Sequence, residues 1–93
     1  MTDSLLSGTI EPDARLVARI ASSDQAALAE LNARHSKTLY AVAYSVLFDP
    51  EAAEEVVAAT FREVWRTARW FDAGRRSAQL WLIETVRRLA TGA

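Results

Sequence analysis

The sequence predicts an all-α fold, a compact bundle of about four helices with a long third helix. Three observations carry this. Only three glycines (Gly8, Gly74, Gly92) and two prolines (Pro12, Pro50) punctuate 93 residues. Alanine, leucine, arginine and glutamate, all good helix formers, fill the stretches between them. Apolar residues recur at three-to-four spacing, the period of a helix with one buried face. With 51% hydrophobic and 25% charged residues, the chain is of a size to form one domain around a single core.

Residues 1–12 mix Ser, Thr, Gly and isolated apolar residues without a period and read as a flexible leader; the helical domain is expected over 13–93. The first helix starts at Pro12, with Leu16, Val17, Ile20 and Ala21 on one face and Arg15 and Arg19 on the other, and Ser22-Ser23 ends it. Asp24 is placed to cap the second helix, whose apolar face begins with Ala27, Leu28 and Leu31. The polar run from Asn32 to Lys37 follows before Leu39, Tyr40, Val42, Ala43, Val46 and Leu47 resume the stripe, leaving open whether this helix bends or breaks near Ser36.

Asp49-Pro50 is the clearest boundary. The aspartate accepts free amides at a helix N-terminus, and proline suits the first helical position. The third helix is expected from there to about Arg69, with Glu51, Glu54 and Glu55 at the positive end of its dipole and Arg62, Arg66 and Arg69 toward the negative end. Its core face reads Ala53, Val57, Phe61 or Thr60, Val64 and Ala68, with Trp65 alongside; Glu55, Ala58, Arg62, Arg66 and Arg69 lie opposite. Trp70 to Arg76 break the period with a glycine and two aromatics. Ser77 then caps a fourth helix through Leu80, Leu82, Ile83, Val86, Leu89 and Ala90.

Several functional classes are disfavoured. Without cysteine there is no disulfide framework, thiolate metal site or cysteine nucleophile, and a reducing compartment is the simpler reading. His35 is the lone histidine, no glycine-rich loop could cradle phosphate, and Glu54-Glu55 point about 100° apart on a helix. No catalytic residue, metal or cofactor is expected, and the chain does not read as an enzyme. Charged residues interrupt every apolar segment short of the roughly 18 to 20 residues needed to cross a bilayer. The N-terminus carries an acid where a secretion signal carries bases. Cytoplasmic location is expected.

The net charge of −1 is a cancellation. Residues 1–61 hold four bases against nine acids (−5), whereas residues 62–93 hold seven bases, all arginine, against three acids (+4). The basic third is interleaved with Trp65, Trp70, Phe71 and Trp81, a combination suited to single-stranded nucleic acid, with guanidinium for phosphate and aromatic planes for unstacked bases. The same residues also suit a packed bundle with a solvated arginine face. Phe61 and Trp65 lie beside the core stripe and read as packing residues, as do Tyr40 and Tyr44. Trp70 reads as the exposed aromatic, and Trp81 stands between the two roles.

The order and spacing of three segments add a resemblance. They are Asp49-Pro50-Glu51-Ala52-Ala53-Glu54-Glu55-Val56-Val57-Ala58-Ala59-Thr60-Phe61-Arg62-Glu63-Val64-Trp65-Arg66, then Phe71-Asp72, then Ser77-Ala78-Gln79-Leu80-Trp81-Leu82. Together with Leu16 to Ala21, Asp24 to Ala27 and Leu31 to Tyr40, this text resembles region 2 of the bacterial sigma-70 superfamily, specifically the extracytoplasmic-function sigma factors, over about residues 13–90. The resemblance implies a non-enzymatic, dissociable subunit of RNA polymerase that recognises and helps melt promoter DNA. It implies that the exposed face of the long helix, Glu55, Ala58, Ala59, Arg62 and Arg66, docks on the clamp helices of the polymerase β′ subunit. It further implies that the minus-ten element on the non-template strand meets Trp70, Phe71, Arg75, Arg76 and Ser77 in the loop, and Trp81, Glu84, Arg87 and Arg88 on the last helix.

The chain also departs from that pattern. Ala58-Ala59 stand where the family has a glutamine-glutamate pair, which removes part of the polar polymerase contact, and Arg88 stands where the family often has asparagine, so base preference is not inherited. The family's second DNA-binding domain, region 4, is absent from these residues, and a fragment of a two-domain protein is the favoured expectation over a free-standing module. The resemblance also implies an anti-sigma factor as a partner. The alternative is a degenerate copy that binds such a regulator as a decoy, with little DNA binding.

Overall fold

The protein was analysed as a computed structural model that describes residues 10–92. Among the described residues four helices follow in order: α1 (Asp13–Ala21), α2 (Gln25–Leu47), α3 (Pro50–Thr67) and α4 (Ala78–Thr91), with a 3-10 turn at Ala68–Trp70 continuing α3. Among the described residues there is no strand. Most of the leader expected over residues 1–12 lies outside the described residues; Ile10 to Pro12 lead directly into α1.

The helix starts are set by the side chains that suit them. Asp24 accepts from the Ala27 amide at 3.1 Å, Asp49 from Glu51 at 3.0 Å and Ala52 at 3.3 Å, and Ser77 from Leu80 at 3.1 Å. Each satisfies amides that a helix N-terminus otherwise leaves open, a cap worth about 1 kcal/mol. Asp24 also accepts from Arg19 Nε at 2.9 Å, and this bond, seconded by the Ala27 amide, holds its carboxyl below the ordinary carboxylate range.

The third helix is long, as expected, at 18 residues, and the 23-residue α2, which runs unbroken, is longer still. The polar run that left a break open at Ser36 has a partner instead. Arg34 donates to Asp13 at 2.9 Å, and the same carboxylate lies 2.7 Å from His35 Nε2, so the middle of α2 is fastened to the first turn of α1. His35 thus has a partner in the carboxylate of α1.

α2 packs against α1, α3 and α4, and the core fills the space between them. Leu16, Val17 and Ile20 of α1, Leu31 and Leu39 of α2, Ala53, Phe61 and Val64 of α3, and Leu82 and Val86 of α4 are buried. The choice between Thr60 and Phe61 resolves as both. Thr60 is fully buried because its hydroxyl donates to the Val56 carbonyl at 2.9 Å, which removes the cost of hiding it. Val57 is only half-buried. Leu80, expected on the core stripe of α4, is exposed: the stripe runs Ala78, Trp81-Leu82, Thr85-Val86 and Ala90, and the helical period turns position 80 to the opposite side. Tyr44, also expected to pack, is exposed and lies against half-buried Tyr40 with ring centroids 6.1 Å apart.

Ser23 closes the α1–α2 turn at φ +68°, a left-handed conformation that strains an L side chain. Ser23→Gly is expected to raise stability by about 0.5 kcal/mol, the strain released less glycine's extra unfolded entropy, measured as a shift in urea midpoint. A lower midpoint would show that the serine side chain contributes a contact of its own.

Candidate functional site

The 3-10 turn and the loop after it carry the aromatic and basic residues singled out in the sequence. Asp72 fixes the loop by accepting from the Gly74 amide at 2.9 Å through its side chain and from the Arg75 amide at 3.0 Å through its carbonyl. Arg75 therefore closes a defined turn, and Arg76 follows it. Trp70 is 71% exposed, with the Arg69 guanidinium 5.4 Å from its ring centroid. Phe71 folds inward instead, stacking on Trp81 with centroids 4.7 Å apart and planes 28° from parallel. At 8% exposure, Trp81 is chiefly a core residue, one edge of which reaches the surface.

These residues converge. Trp70, Phe71, Trp81, Arg75 and Arg76, with Thr67 and Asp72, line one cleft of about 560 Å³. A smaller cleft of about 400 Å³ shares Thr67, Arg76 and Trp81 and continues to Glu63, Glu84, Thr85 and Arg88. Five of the nine residues expected to meet DNA thus line the first cleft, and Glu84 and Arg88 the second. Ser77 and Arg87 line neither; Ser77 is occupied as the α4 cap.

The charge is less available than the sequence suggests. Arg76 is paired with Glu84, and Arg88 donates to Glu63 at 2.8 Å. Arg75 and Arg87 have no ion pair among the described residues. Glu63 is shared, accepting from Arg66 of its own helix at 2.7 Å as well. One carboxylate between two guanidiniums leaves this trio with a surplus positive charge.

Of the residues assigned to the other surface, Ala58, Ala59, Arg62 and Arg66 line a third cleft of about 790 Å³, together with Leu28 and Asn32 of α2, Phe61, Glu63 and Trp65 of α3, and Leu89 of α4. Glu55 stands beside it, accepting from Arg62 at 2.9 Å. Sequence reasoning missed Thr67, Asp72 and Glu63. Asp72 two residues before a glycine was the legible hint of an Asx turn, whereas the Glu63–Arg88 pair spans 25 residues and leaves no local trace.

Nothing suited to metal chemistry accompanies this geometry: among the described residues no three His, Asp or Glu side chains converge as ligands. Nor is any described helix long and apolar enough to cross a membrane.

Comparison with known proteins gives a consistent result. The family model described as Sigma-70 region 2 matches residues 31–92. The chain is 37% identical over 75 residues, 81% of its length, to the ECF RNA polymerase sigma factor SigK of Mycobacterium bovis (strain BCG / Pasteur 1173P2), and to the same degree to that of Mycobacterium tuberculosis (strain ATCC 25618 / H37Rv). It spans 40% of the length of these curated relatives. No solved structure matches it at a significant level.

Proposed function

The chain belongs to the Sigma-70 region 2 family, and on that premise we propose that it serves bacterial transcription initiation as the region 2 of an extracytoplasmic-function sigma factor, binding in the cytoplasm to core RNA polymerase and to promoter DNA. The exposed face of α3 (Glu55, Ala58, Ala59, Arg62, Arg66) docks on the β′ clamp helices. The loop and α4 then take the minus-ten element as an unpaired non-template strand. The role is binding and not catalysis.

The observation that carries this reading is the cleft beside Trp70. Holding a base outside the duplex costs a few kcal/mol of stacking and pairing, which an aromatic platform and phosphate contacts must offset. The cleft offers both: an exposed indole, a rigid Phe71–Trp81 stack as its floor, and Arg75 and Arg76 at its edge. The stack is anchored in the core, since Trp81 belongs to the buried cluster and Phe71 packs against it.

Fluorescence anisotropy with single-stranded oligonucleotides of varied hexamer sequence tests the reading. Affinity is expected to depend on the hexamer. Binding indifferent to sequence and abolished at moderate salt would overturn promoter recognition; if core polymerase also fails to bind, a regulator-binding decoy is the better account.

Replacing Arg75 and Arg76 together with alanine is expected to weaken this binding and to reduce the salt slope by about 1.4, at roughly 0.7 for each phosphate that an arginine no longer neutralises. Melting temperature should hold, because both side chains are exposed and the surface pair with Glu84 contributes about 0–1 kcal/mol. A collapse in stability would make these arginines structural.

A further inference from the structure

Two surfaces at opposite ends of α3 complement each other. The first is aromatic and acidic. Tyr40, Tyr44 and Phe48 recur at every fourth position along α2, with Tyr40 and Tyr44 stacked and Phe48 set edge-on to Tyr44 at 6.2 Å between centroids. The row ends in an open ring, since Phe48 is 75% exposed and is not among the residues packed against the core. It closes α2 at φ +54°, a left-handed conformation that glycine adopts more readily. The fold itself thus has no need of an aromatic side chain here. Asp49 and Glu51 follow, both exposed and neither ion-paired among the described residues.

The second surface is aromatic and basic. Exposed Trp70 lines the cleft of about 560 Å³ with Arg75 and Arg76 at its edge, and the Arg69 guanidinium lies over its ring. Arg69 and Arg75 have no ion pair among the described residues. Phe48 precedes the start of α3 and Trp70 follows its end, so the 18 residues of that helix, about 27 Å at 1.5 Å each, hold the two surfaces apart. One molecule cannot bring them together, but two can.

We propose that the Phe48 end of one copy of this chain enters the Trp70 cleft of a second copy. The open ring lies against the indole as an unstacked base would, and Asp49 and Glu51 meet Arg75 as phosphates would. The sign of the charge selects this pairing: the chain is −5 over residues 1–61 and +4 over 62–93, so acidic end to basic cleft attracts, whereas like ends repel. Each copy gives one end and receives the other, a heterologous contact through which copies add head to tail. A single strand in the cleft and a neighbouring Phe48 exclude each other, so association holds the concentrated chain off DNA. That consequence, unlike the contact, rests on the nucleic-acid reading of the cleft given above.

Sedimentation equilibrium at low salt tests the contact, with Phe48→Gly and Trp70→Ala each removing one side of it. Glycine suits the left-handed position and Trp70 is exposed, so both variants should fold, with melting temperature as the control. Wild type should form dimers and longer species as its concentration rises, and added salt should disperse them. Either variant alone should associate about tenfold more weakly for want of one aromatic pair. An equimolar mixture should restore dimers and nothing longer, because Phe48 of the Trp70→Ala protein still meets Trp70 of the Phe48→Gly protein. A wild type that stays monomeric at about 1 mM, or a mixture no more associated than its components, overturns the contact. A single-stranded hexamer should disperse the wild-type species and bind Phe48→Gly with undiminished affinity. A strand that binds Phe48→Gly yet leaves the wild-type species intact overturns the competition; one that binds neither protein defeats the nucleic-acid reading and leaves the contact standing.

Discussion

Trp81→Ala is expected to remove about 3–5 kcal/mol of folding stability, the cost of deleting a large aromatic from a core that relaxes only in part. A chain of 93 residues has roughly 5–14 kcal/mol to lose, so this single change brings the fold near its limit. The size of the effect follows from its position. The indole is almost wholly buried, its neighbour Leu82 is fully so, and Phe71 stacks on it at 4.7 Å. Removing the indole leaves Phe71 without its partner and so loosens the floor of the cleft. Urea denaturation measures the loss, and Trp81→Phe should recover much of it by keeping a ring under Phe71. A Trp81→Ala protein as stable as wild type would show that the residue belongs to the surface, as a base-stacking platform.

Trp70→Ala is the counterpart, with the effects reversed. Its side chain is exposed, and its one named contact is the Arg69 guanidinium at 5.4 Å, a surface interaction of about 0.5–1 kcal/mol. Stability should therefore change little. Affinity for the preferred single-stranded hexamer should fall by about 1–3 kcal/mol, or roughly 5- to 150-fold, the range for removing an aromatic on which a base stacks. Anisotropy titration gives the affinity and thermal melting the control. Full affinity after the substitution would move base recognition away from the 3-10 turn. Taken together, the two tryptophans separate support from contact at one cleft: eleven residues apart in sequence, they differ in burial from 8% to 71% exposure.

The sequence tells these two apart only in part, and the reason is physical. Trp70 falls where the helical period ends, so its exposure follows from pattern. Trp81 falls on the stripe of α4, yet an aromatic at a helix start packs inward or outward according to what lies above it, and that is Phe71, whose inward turn depends on the bend after the 3-10 turn. Caps are the opposite case. Asp24, Asp49 and Ser77 act within three residues of themselves, and all three are legible as starts of helices. The continuity of α2 was not legible, because what sustains its polar middle is Asp13, 21 and 22 residues upstream of Arg34 and His35. Leu80 shows a simpler limit: an apolar residue next to Trp81 and Leu82 looks like core until the phase of the helix is counted from Ala78 and Leu82.

Charge shows the same division between local and distant. The excess of arginine after residue 61 is plain in the sequence, but which arginines are free is set by Glu63 and Glu84, and the Glu63–Arg88 pair joins α3 to α4. The structure thus tempers the electrostatic case for nucleic acid: Arg75 and Arg87 have no ion pair among the described residues, whereas Arg76 and Arg88 would have to exchange a carboxylate for a phosphate. Such exchange is inexpensive at a surface, where an ion pair contributes about 0–1 kcal/mol.

The proposed division of the bundle, one face for polymerase and the other for the unpaired minus-ten strand, is tested most directly with a labelled forked promoter whose non-template hexamer is single-stranded. Its binding to core RNA polymerase in the presence and absence of the chain measures both faces at once. Tight binding is expected only when the chain is present, with strength set by the hexamer sequence. Equal binding with and without the chain, or equal binding to every hexamer, would contradict that division.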